Sequence, residues 1–479
     1  MTSSIITSPP AGAIHVLHAI AAALNLSPHS VANVQFQGAG ALPSAFAVSD
    51  LAAGSVAAAG ASVADWVALR TGRQPTAVID RRLCSLWFGG TVRPLGWALP
   101  PVWDAIAGDY ATADGWIRLH TNAPQHRAAA LAALGFTHGA APDKAAVSRV
   151  VAAWSTQELE VAVVENHGCA AAMWSQAQWA IHPQAQHVNA EPLVTVSSTT
   201  PLDALPLPSA SHFDPARPLQ GIRVLDLTRV LAGPVATRFL AGFGADVLRI
   251  DPPDWDEPSL VAEVTLGKRC ARLDLRSTVG RAIFVQLLRQ ADVLVHGYRA
   301  DALERLGLGA PERQAIRPGL VDVALNAYGV TGPWRNRRGF DSLVQMSTGI
   351  AHTGMQQGRK DRPTPLPVQA LDHAAGYVMA AAVVKGLCQR WSQHSQGGQG
   401  WQAHTSLARV AHLLVNTAVS DGPSEPILMA ETDWADSLEQ TDFGPAHRLR
   451  SPICVAGHSL QWTRAASRLG SAAPKWLAL

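Results

Sequence analysis

The second half of the chain alternates short apolar runs with amphipathic segments, and this alternation constrains the fold more than any other feature. The apolar runs have the length of buried strands and occupy residues 221–227, 245–250, 270–275, 291–298 and 320–329. Helix-like segments lie between them, one beginning at Pro234, which suits the first position of a helix, and one at 279–290. Strands that alternate with helices predict an α/β fold with a Rossmann-like, doubly wound parallel sheet.

Such a sheet also predicts where a ligand binds. The ligand site of a doubly wound sheet lies beyond the carboxyl ends of its strands, because the loops that follow the strands meet there. The residues in these loops are Thr228–Ala232, Asp251, Tyr298–Arg299 and Tyr328–Gly329. We therefore expect the functional site at this edge of the sheet.

Composition and missing motifs exclude several kinds of protein. A net charge of +2 over 479 residues, with no basic stripe, argues against a nucleic-acid partner. The five cysteines are dispersed and the 18 histidines lack H-E-x-x-H spacing, so neither a disulfide framework nor a metal site is predicted. Because G-x-G-x-x-G and G-x-S-x-G are also missing, dinucleotide binding and serine hydrolysis are disfavoured, and a carboxylate nucleophile stays open.

The chain is long enough for two domains, and a stretch rich in proline and serine from Pro201 to Pro218 is typical of a linker. We predict a first part at 1–205, a linker at 206–218 and a second part at 219–479. Within the first part, a strand at 114–120 and helices at 125–135 and 155–168 indicate a smaller α/β domain.

The segment MTSSIITSPP lacks the basic residues of a signal peptide. No apolar run approaches the roughly 20 residues that a membrane-spanning helix needs. We therefore expect a cytoplasmic protein without a membrane partner.

One short pattern occurs twice. LDHAAGYVMAAA begins at Leu371 and SDLAAGSVAAAG at Ser49, and both contain D-x-A-A-G before an alanine-rich run. The aspartates, Asp372 and Asp50, are placed near the start of a predicted helix. A helix cap is the ordinary role for such a residue, and the helix dipole favours its ionised form by about 0.3–1 kcal/mol.

Four blocks of the second half, in order, resemble the class III (CaiB/BaiF-type) CoA-transferases. They are GIRVLDLTRVLAGP from Gly221, GKRCARLDL from Gly267, LVDVALNAYGVTGP from Leu320 and PVQALDHAAGY from Pro367. The resemblance implies that Asp372 is the nucleophile: it attacks an acyl-CoA, passes through an aspartyl-CoA thioester and transfers CoA to a second acid. Gly376 and the neighbouring alanines would leave room for the acyl group. Acyl-CoA and a carboxylic acid are then the substrates, with no tightly bound cofactor.

The resemblance also implies a set of residues that contact CoA. They lie in the loop after the first strand, near the adenine, at a phosphate and along the path to the nucleophile: Arg229, Leu231, Ala232, Tyr298, Arg305, Arg338 and Phe340. This chain departs from the family pattern at Gly297, where asparagine is usual, and at Pro252, where arginine is usual. A non-catalytic CoA-binding protein is therefore one alternative.

An acyl-CoA racemase or isomerase of the same superfamily is a second alternative. Such racemases use a histidine in a G-H-D segment, where this chain has Gly339-Phe340-Asp341. Because phenylalanine cannot move a proton, racemisation is disfavoured.

The order of the blocks differs from that of the family. Residues 46–90 resemble the catalytic helix block, 112–200 the small domain and 444–479 a terminal return segment. The simplest interpretation is two fused partial copies, permuted relative to the family, in which Asp50 is more often structural than functional. Family members are interlocked homodimers, so a homodimer is expected.

Overall fold

The fold was obtained as a computed structural model, which describes residues 10–198, 213–298, 301–393, 400–419 and 425–477. Much of the predicted linker lies outside the described residues. The helices in this part of the chain, α1 to α17, are Ala11–Leu24, Pro28–Ala32, Val48–Thr71, Arg81–Trp87, Pro124–Ala133, Lys144–Val151, Thr156–Glu165, Gln176–Ile181, Pro183–Ala190, Ala232–Gly242, Val261–Val264, Thr278–Arg289, Ala310–Ile316, Asp341–Ser347, Ile350–Gln357, Ala370–Gln393 and Leu407–Val415. The strands, β1 to β17, are Val34–Gln37, Ala77–Asp80, Val92–Pro94, Gly108–Ala111, Trp116–Leu119, Ala170–Ala172, Thr195–Ser198, Arg223–Leu227, Asp246–Asp251, Arg269–Arg272, Val293–His296, Val321–Asn326, Trp401–Ser406, Trp434–Thr441, Gly444–Leu449, Ile453–Val455 and His458–Ser459.

The largest sheet has the strand order β10-β9-β8-β11-β12-β13-β7. Its first six strands are parallel, whereas β7 runs antiparallel to β13 at one edge. The five predicted strands are all present, so the parallel α/β sheet is confirmed, with a mixed edge that was not predicted. The chain changes its direction of progress between β8 and β11, and in such sheets a crevice opens at this switch point.

Both faces of this sheet are buried. Alternate residues of a strand point to opposite faces, so Val224 and Val295 join a cluster that contains residues of α1, α3, α10 and α16. Leu225 and Leu294 join a second cluster, which α12 covers. A sheet buried on both faces requires continuous apolar strands, which is why these strands were recognisable in the sequence.

Smaller sheets join the two parts of the sequence in space. Their orders are β1-β2-β16-β17, β14-β15-β3 and β4-β5-β6. The first two pair strands that precede the predicted linker with strands near the end of the chain, so the two parts share sheets, and the boundaries at 205 and 219 stay a prediction. The third sheet, with α5 and α7, contains the strand and the two helices predicted for the smaller domain.

The two D-x-A-A-G segments form α3 and α16, which pack against each other in the core. Each helix has 24 residues, with its aspartate in the third position. Helix α1 packs on α3, and α10 packs on α16. A β-carbon added at Gly54 would lie 2.6 Å from the carbonyl oxygen of Ala13, and one added at Gly376 would lie 2.4 Å from that of Ala232. The two helix pairs are therefore built alike within one chain.

This packing corrects the expectation that Gly376 leaves room for an acyl group, because the space beside its Cα is occupied by α10. We expect Gly376→Ala to lower the free energy of unfolding by about 1–3 kcal/mol through overpacking. Urea denaturation measures this change. Gly297→Ala is the control, since an added β-carbon there meets no atom within 4 Å; equal losses in the two variants would contradict the close helix contact.

Helix α3 also corrects the expectation that no segment is long and apolar enough to cross a membrane. By length and composition Val48–Thr71 meets that requirement, but 94% of its most apolar window is buried inside the protein. Packing between α1 and α16 explains its composition, since a helix surrounded by protein is apolar on all sides.

Candidate active site

Loops that follow three neighbouring parallel strands line one cavity of about 370 Å³ at the switch point. They are residues 228–231 after β8, Gly297 and Tyr298 after β11, and Asn326 with Ala327 at the end of β12. Asp372, near the start of α16, also lines this main cavity. The cavity is thus located where the strand pattern predicts a ligand site.

Other residues predicted at this edge do not line the main cavity. Asp251 is fully buried and accepts a hydrogen bond from Nε of Arg249 at 2.9 Å. The backbone at Gly329 packs against the side chain of Glu191, and Arg299 lies outside the described residues. The strand ends therefore predicted the location of the cavity but not every residue that lines it, because a side chain at a strand end can turn into the core.

The loop after β8 contains a strained residue. Val230 has a left-handed backbone with φ of 65°, which is rare for a β-branched residue. Its amide donates to Oε2 of Glu257 at 2.8 Å, and Glu257 accepts a hydrogen bond from the buried guanidinium of Arg249. This ion pair stabilises a turn that carries Val230 and Leu231 to the cavity wall.

Helix α10 begins at the cavity wall without a side-chain cap on its first amide groups. Ala232 and Gly233, in its first turn, line the main cavity. The first amides of a helix have no partner within the helix, and the helix dipole favours anions there. At the start of α16, by contrast, Oδ2 of Asp341 accepts a hydrogen bond from the amide of Asp372 at 2.9 Å. Free amide groups for a ligand are therefore offered by α10.

Two arginines bring positive charge to the main cavity. Arg229 donates to the Tyr298 hydroxyl at 2.7 Å and lies 4.8 Å from the ring centre of Trp255. Arg338 donates to the carbonyl of His167 at 3.1 Å. Neither forms an ion pair with a carboxylate of the described residues, whereas the neighbouring Arg337 is neutralised by Glu160 at 2.8 Å. An anionic ligand bound in the main cavity would supply the negative charge that Arg229 and Arg338 lack.

The carboxyl of Asp372 is held in an unfavourable environment for a charge. Its residue is 8% exposed, and burial, followed by the charge of Asp341, raises the pKa of Asp372 well above its usual value. Burial also raises the pKa of Asp341, to about 6. Burial and the Asp341 charge therefore outweigh the helix dipole that was expected to favour the ionised form, since about 0.3–1 kcal/mol from the dipole corresponds to less than one pKa unit.

Two histidines flank Phe340, and sequence reasoning missed both. The ring of His120 stacks on Phe340 with 3.8 Å between the ring centres, and that of His126 meets it edge-on at 5.8 Å. Burial lowers the pKa of His120 to about 3 and that of His126 to about 4, so both rings are neutral at pH 7. They come from the smaller domain, more than 200 positions away in the sequence, and no local spacing indicated them.

Asp372 also lines a second cavity, of about 260 Å³. Its walls come from segments 101–104, 120–123 and 255–260. Five residues line both cavities: Val230, Leu231, Trp255, Phe340 and Asp372. Asp372 therefore lies at the junction of two spaces.

Arg305 is placed elsewhere. Its side chain is 71% exposed and pairs with Asp301, four residues earlier in the chain. It is not among the residues that line the main cavity, unlike the other predicted CoA-contacting residues, which are Arg229, Leu231, Ala232, Tyr298, Arg338 and Phe340.

Asp50, the aspartate of the first D-x-A-A-G segment, has a different environment from Asp372. Its carboxylate pairs with Arg81, whose NH2 lies 2.9 Å from Oδ1. A β-carbon at Gly12 would lie 2.6 Å from its Oδ2, so α1 closes over this carboxylate. The surroundings of Asp50 are those of a structural ion pair.

One family model matches part of the chain. Residues 219–433, which include Asp372 and both α10 and α16, match the family model of CoA-transferase family III. This part of the chain is therefore similar to CoA-transferase family III. The chain is 33% identical over 195 residues to a succinyl-CoA:glutarate CoA-transferase of Mus musculus, covering 38% of this chain and 44% of the relative. It is 32% identical over 191 residues to a probable fatty acyl-CoA transferase of Mycobacterium tuberculosis, covering 37% and 48%.

The match to family III relatives is partial. The chain spans about half the length of these curated relatives, at 44% and 48%. Among solved structures, a CaiB/BaiF family protein from Brucella suis is 25% identical, with a TM-score of 0.37, covering 48% of this chain and 65% of that one. The fused, permuted arrangement proposed from the sequence is not confirmed by these comparisons.

Proposed function

We propose that this protein is a CoA-transferase that moves CoA from an acyl-CoA to a second carboxylic acid, with Asp372 as the nucleophile. The observation that carries the proposal is the position of Asp372 between two cavities, one of which has free helix amides and uncompensated arginines. Such a cavity suits the phosphates and thioester of CoA, and the other leaves space for the acid.

In the proposed reaction, a carboxylate oxygen of Asp372 attacks the thioester carbonyl and the C–S bond breaks, which yields a mixed anhydride and CoA thiolate. The thiolate attacks the aspartyl carbonyl, the first acid leaves as its carboxylate, and an aspartyl-CoA thioester remains. The acceptor carboxylate attacks this thioester and releases thiolate again. The thiolate then attacks the acceptor carbonyl, which gives the new acyl-CoA and restores Asp372.

The site residues have distinct roles in this scheme. Arg229 and Arg338 bind the phosphates of CoA, and the first amides of α10 bind either a phosphate or the oxyanion that forms on the attacked carbonyl. Asp341 positions the start of α16 through the amide of Asp372. Because the pKa of Asp372 is raised, its ionised form is a stronger base and a more reactive nucleophile than an exposed carboxylate.

Covalent trapping tests the proposal. The full chain is incubated with a panel of acyl-CoA thioesters, quenched with hydroxylamine or borohydride, and digested for mass spectrometry. A modification on the peptide that contains Asp372 supports the transferase mechanism. Modification of Asp50 instead would place the chemistry on α3 and refute the assignment to Asp372. CoA binding without modification of either aspartate would refute the proposal.

Exchange of the arginines tests the binding mode. We expect Arg229→Ala to weaken CoA binding by about 10- to 150-fold, because a charge-assisted contact contributes roughly 1.5–3 kcal/mol. Calorimetric titration with CoA at low and high salt measures the effect, which should diminish as salt screens the phosphates. Arg305→Ala is the matched control and should bind CoA as the natural protein does; an equal loss in both variants would contradict this placement.

Racemisation is the second candidate, and one observation favours it. Position 340 holds phenylalanine and not the histidine that such racemases use. His126, however, lines the same cavity as Asp372, and its imidazole is a group that can exchange a proton with a substrate. A 2-methylacyl-CoA incubated with the protein in D₂O decides between the two. Transfer predicts no deuterium at the α-carbon, whereas incorporation that is lost in His126→Gln would establish the racemase.

A further inference from the structure

The second cavity is lined without a cation. Among the described residues that line it, none is lysine or arginine. The uncompensated guanidinium groups, those of Arg229 and Arg338, line the main cavity instead. Positive charge is therefore confined to the side on which CoA is proposed to bind.

Three cations behind the wall of the second cavity are already neutralised, and a fourth, Arg229, which stacks on Trp255, lines the main cavity instead. Arg127 pairs with Asp104 at 2.8 Å, and Arg118, stacked over Trp103, pairs with Asp109 at 2.7 Å. Behind Glu257, Arg249 forms an ion pair with that carboxylate. A second carboxylate on a bound acid would find no free partner among these groups.

Negative charge is also present at the mouth of this cavity. Asp256 is exposed, accepts a hydrogen bond from the amide of Glu257 at 2.9 Å and forms no ion pair with a described residue. The rest of the wall is more apolar than polar: Leu231, Leu260, Trp103 and Phe340 lie beside the neutral polar side chains of Asn122, Ser259 and Gln369. Its surface therefore repels an anionic tail and accepts an apolar one.

We infer that the acid handled at Asp372 is an apolar monocarboxylic acid and not a dicarboxylic acid. The inference rests on the proposed function for its chemistry and names its substrate class. A cavity of 150 Å³ holds benzene, so the second cavity has room for a tail of about six to eight carbon atoms. Hexanoate and adipate form a matched pair, since they share six carbons and differ only in the terminal carboxylate.

Two measurements on the full chain test the inference. Calorimetric titration with the free acids gives their affinities without any turnover, and CoA release from hexanoyl-CoA and adipoyl-CoA gives the rates of Asp372 acylation. We expect hexanoate to be favoured by about 100-fold or more in both, because an unpaired buried carboxylate is strongly disfavoured. Equal or better binding of adipate would overturn the inference.

A charge variant tests the cause of the preference. Ser259 lines the second cavity, so Ser259→Arg should narrow the ratio to within about 10-fold by supplying a partner for the second carboxylate. Ser259→Gln, of similar length and neutral, is the control and should keep the natural ratio. An unchanged ratio in Ser259→Arg would overturn the charge argument.

The two proposals fail in different ways. If no acyl-CoA modifies Asp372, the proposed transfer is refuted, while the free-acid titration still decides the substrate class. If adipoyl-CoA modifies Asp372 as fast as hexanoyl-CoA does, the transfer stands and the inference about the acid is refuted.

Discussion

Asp372→Asn is expected to abolish CoA transfer and, at neutral pH, to make the folded protein more stable. Activity should fall by at least about 10⁴-fold, because an amide cannot form the covalent intermediate. The free energy of unfolding should rise by about 1–2 kcal/mol, since asparagine removes a buried carboxyl beside Asp341. Urea denaturation and a CoA-transfer assay measure the two effects.

The pH dependence identifies the cause of this stabilisation. The folded state raises the pKa of Asp372 above the ordinary 3.8, so it favours the protonated form. Stability from this group is present in full below the unfolded pKa and is lost as the pH rises through the folded pKa. The difference between variant and natural protein should therefore vanish near pH 4 and grow toward pH 8. A constant difference, or a less stable variant at pH 8, would contradict a raised pKa.

Asp50→Asn is expected to have the opposite pair of effects: lower stability and unchanged transfer. The Asp50 side chain is 4% exposed and that of Arg81 is 12% exposed, so the variant leaves a guanidinium buried without its carboxylate. Removal of one partner of a buried ion pair costs about 3–5 kcal/mol. Thermal and urea unfolding measure the loss, and transfer is assayed at a temperature where the variant is fully folded.

The double variant Asp50→Asn, Arg81→Met is the control for this prediction. Replacement of both partners removes the orphaned charge, so stability should recover toward that of the natural protein. A loss of transfer in Asp50→Asn under folded conditions would show that the first helix pair takes part in the reaction. An unchanged stability would show that Arg81 finds another partner.

Asp372 and Asp50 show that the local sequence around a residue does not determine its role. Asp372 and Asp50 share the D-x-A-A-G pattern, the third position of a helix and a glycine that admits a neighbouring helix. Nothing in either segment distinguishes them. Their roles differ because Arg81 and α1 close over one carboxylate, whereas the other faces two cavities.

The sheet was predictable because each of its strands is encoded locally. A strand buried on both faces must be apolar throughout, so the runs at 221–329 are visible without knowledge of the fold. The loop residues 228–232 and Tyr298 were found for the same reason, as the ends of those strands. The edge strand β7, Thr195–Ser198, was missed, since its residues are mostly exposed and its partner β13 is about 200 positions away.

The sequence by itself determined the parallel sheet, the switch-point location of the ligand site and the resemblance of residues 219–433 to CoA-transferase family III. The tertiary structure alone decided the raised pKa of Asp372, the use of Gly376 for helix packing, the two histidines against Phe340 and the cation-free lining of the second cavity. The reason is physical: strand and helix patterns depend on neighbours in the chain, whereas desolvation, ion pairing and cavity shape depend on neighbours in space.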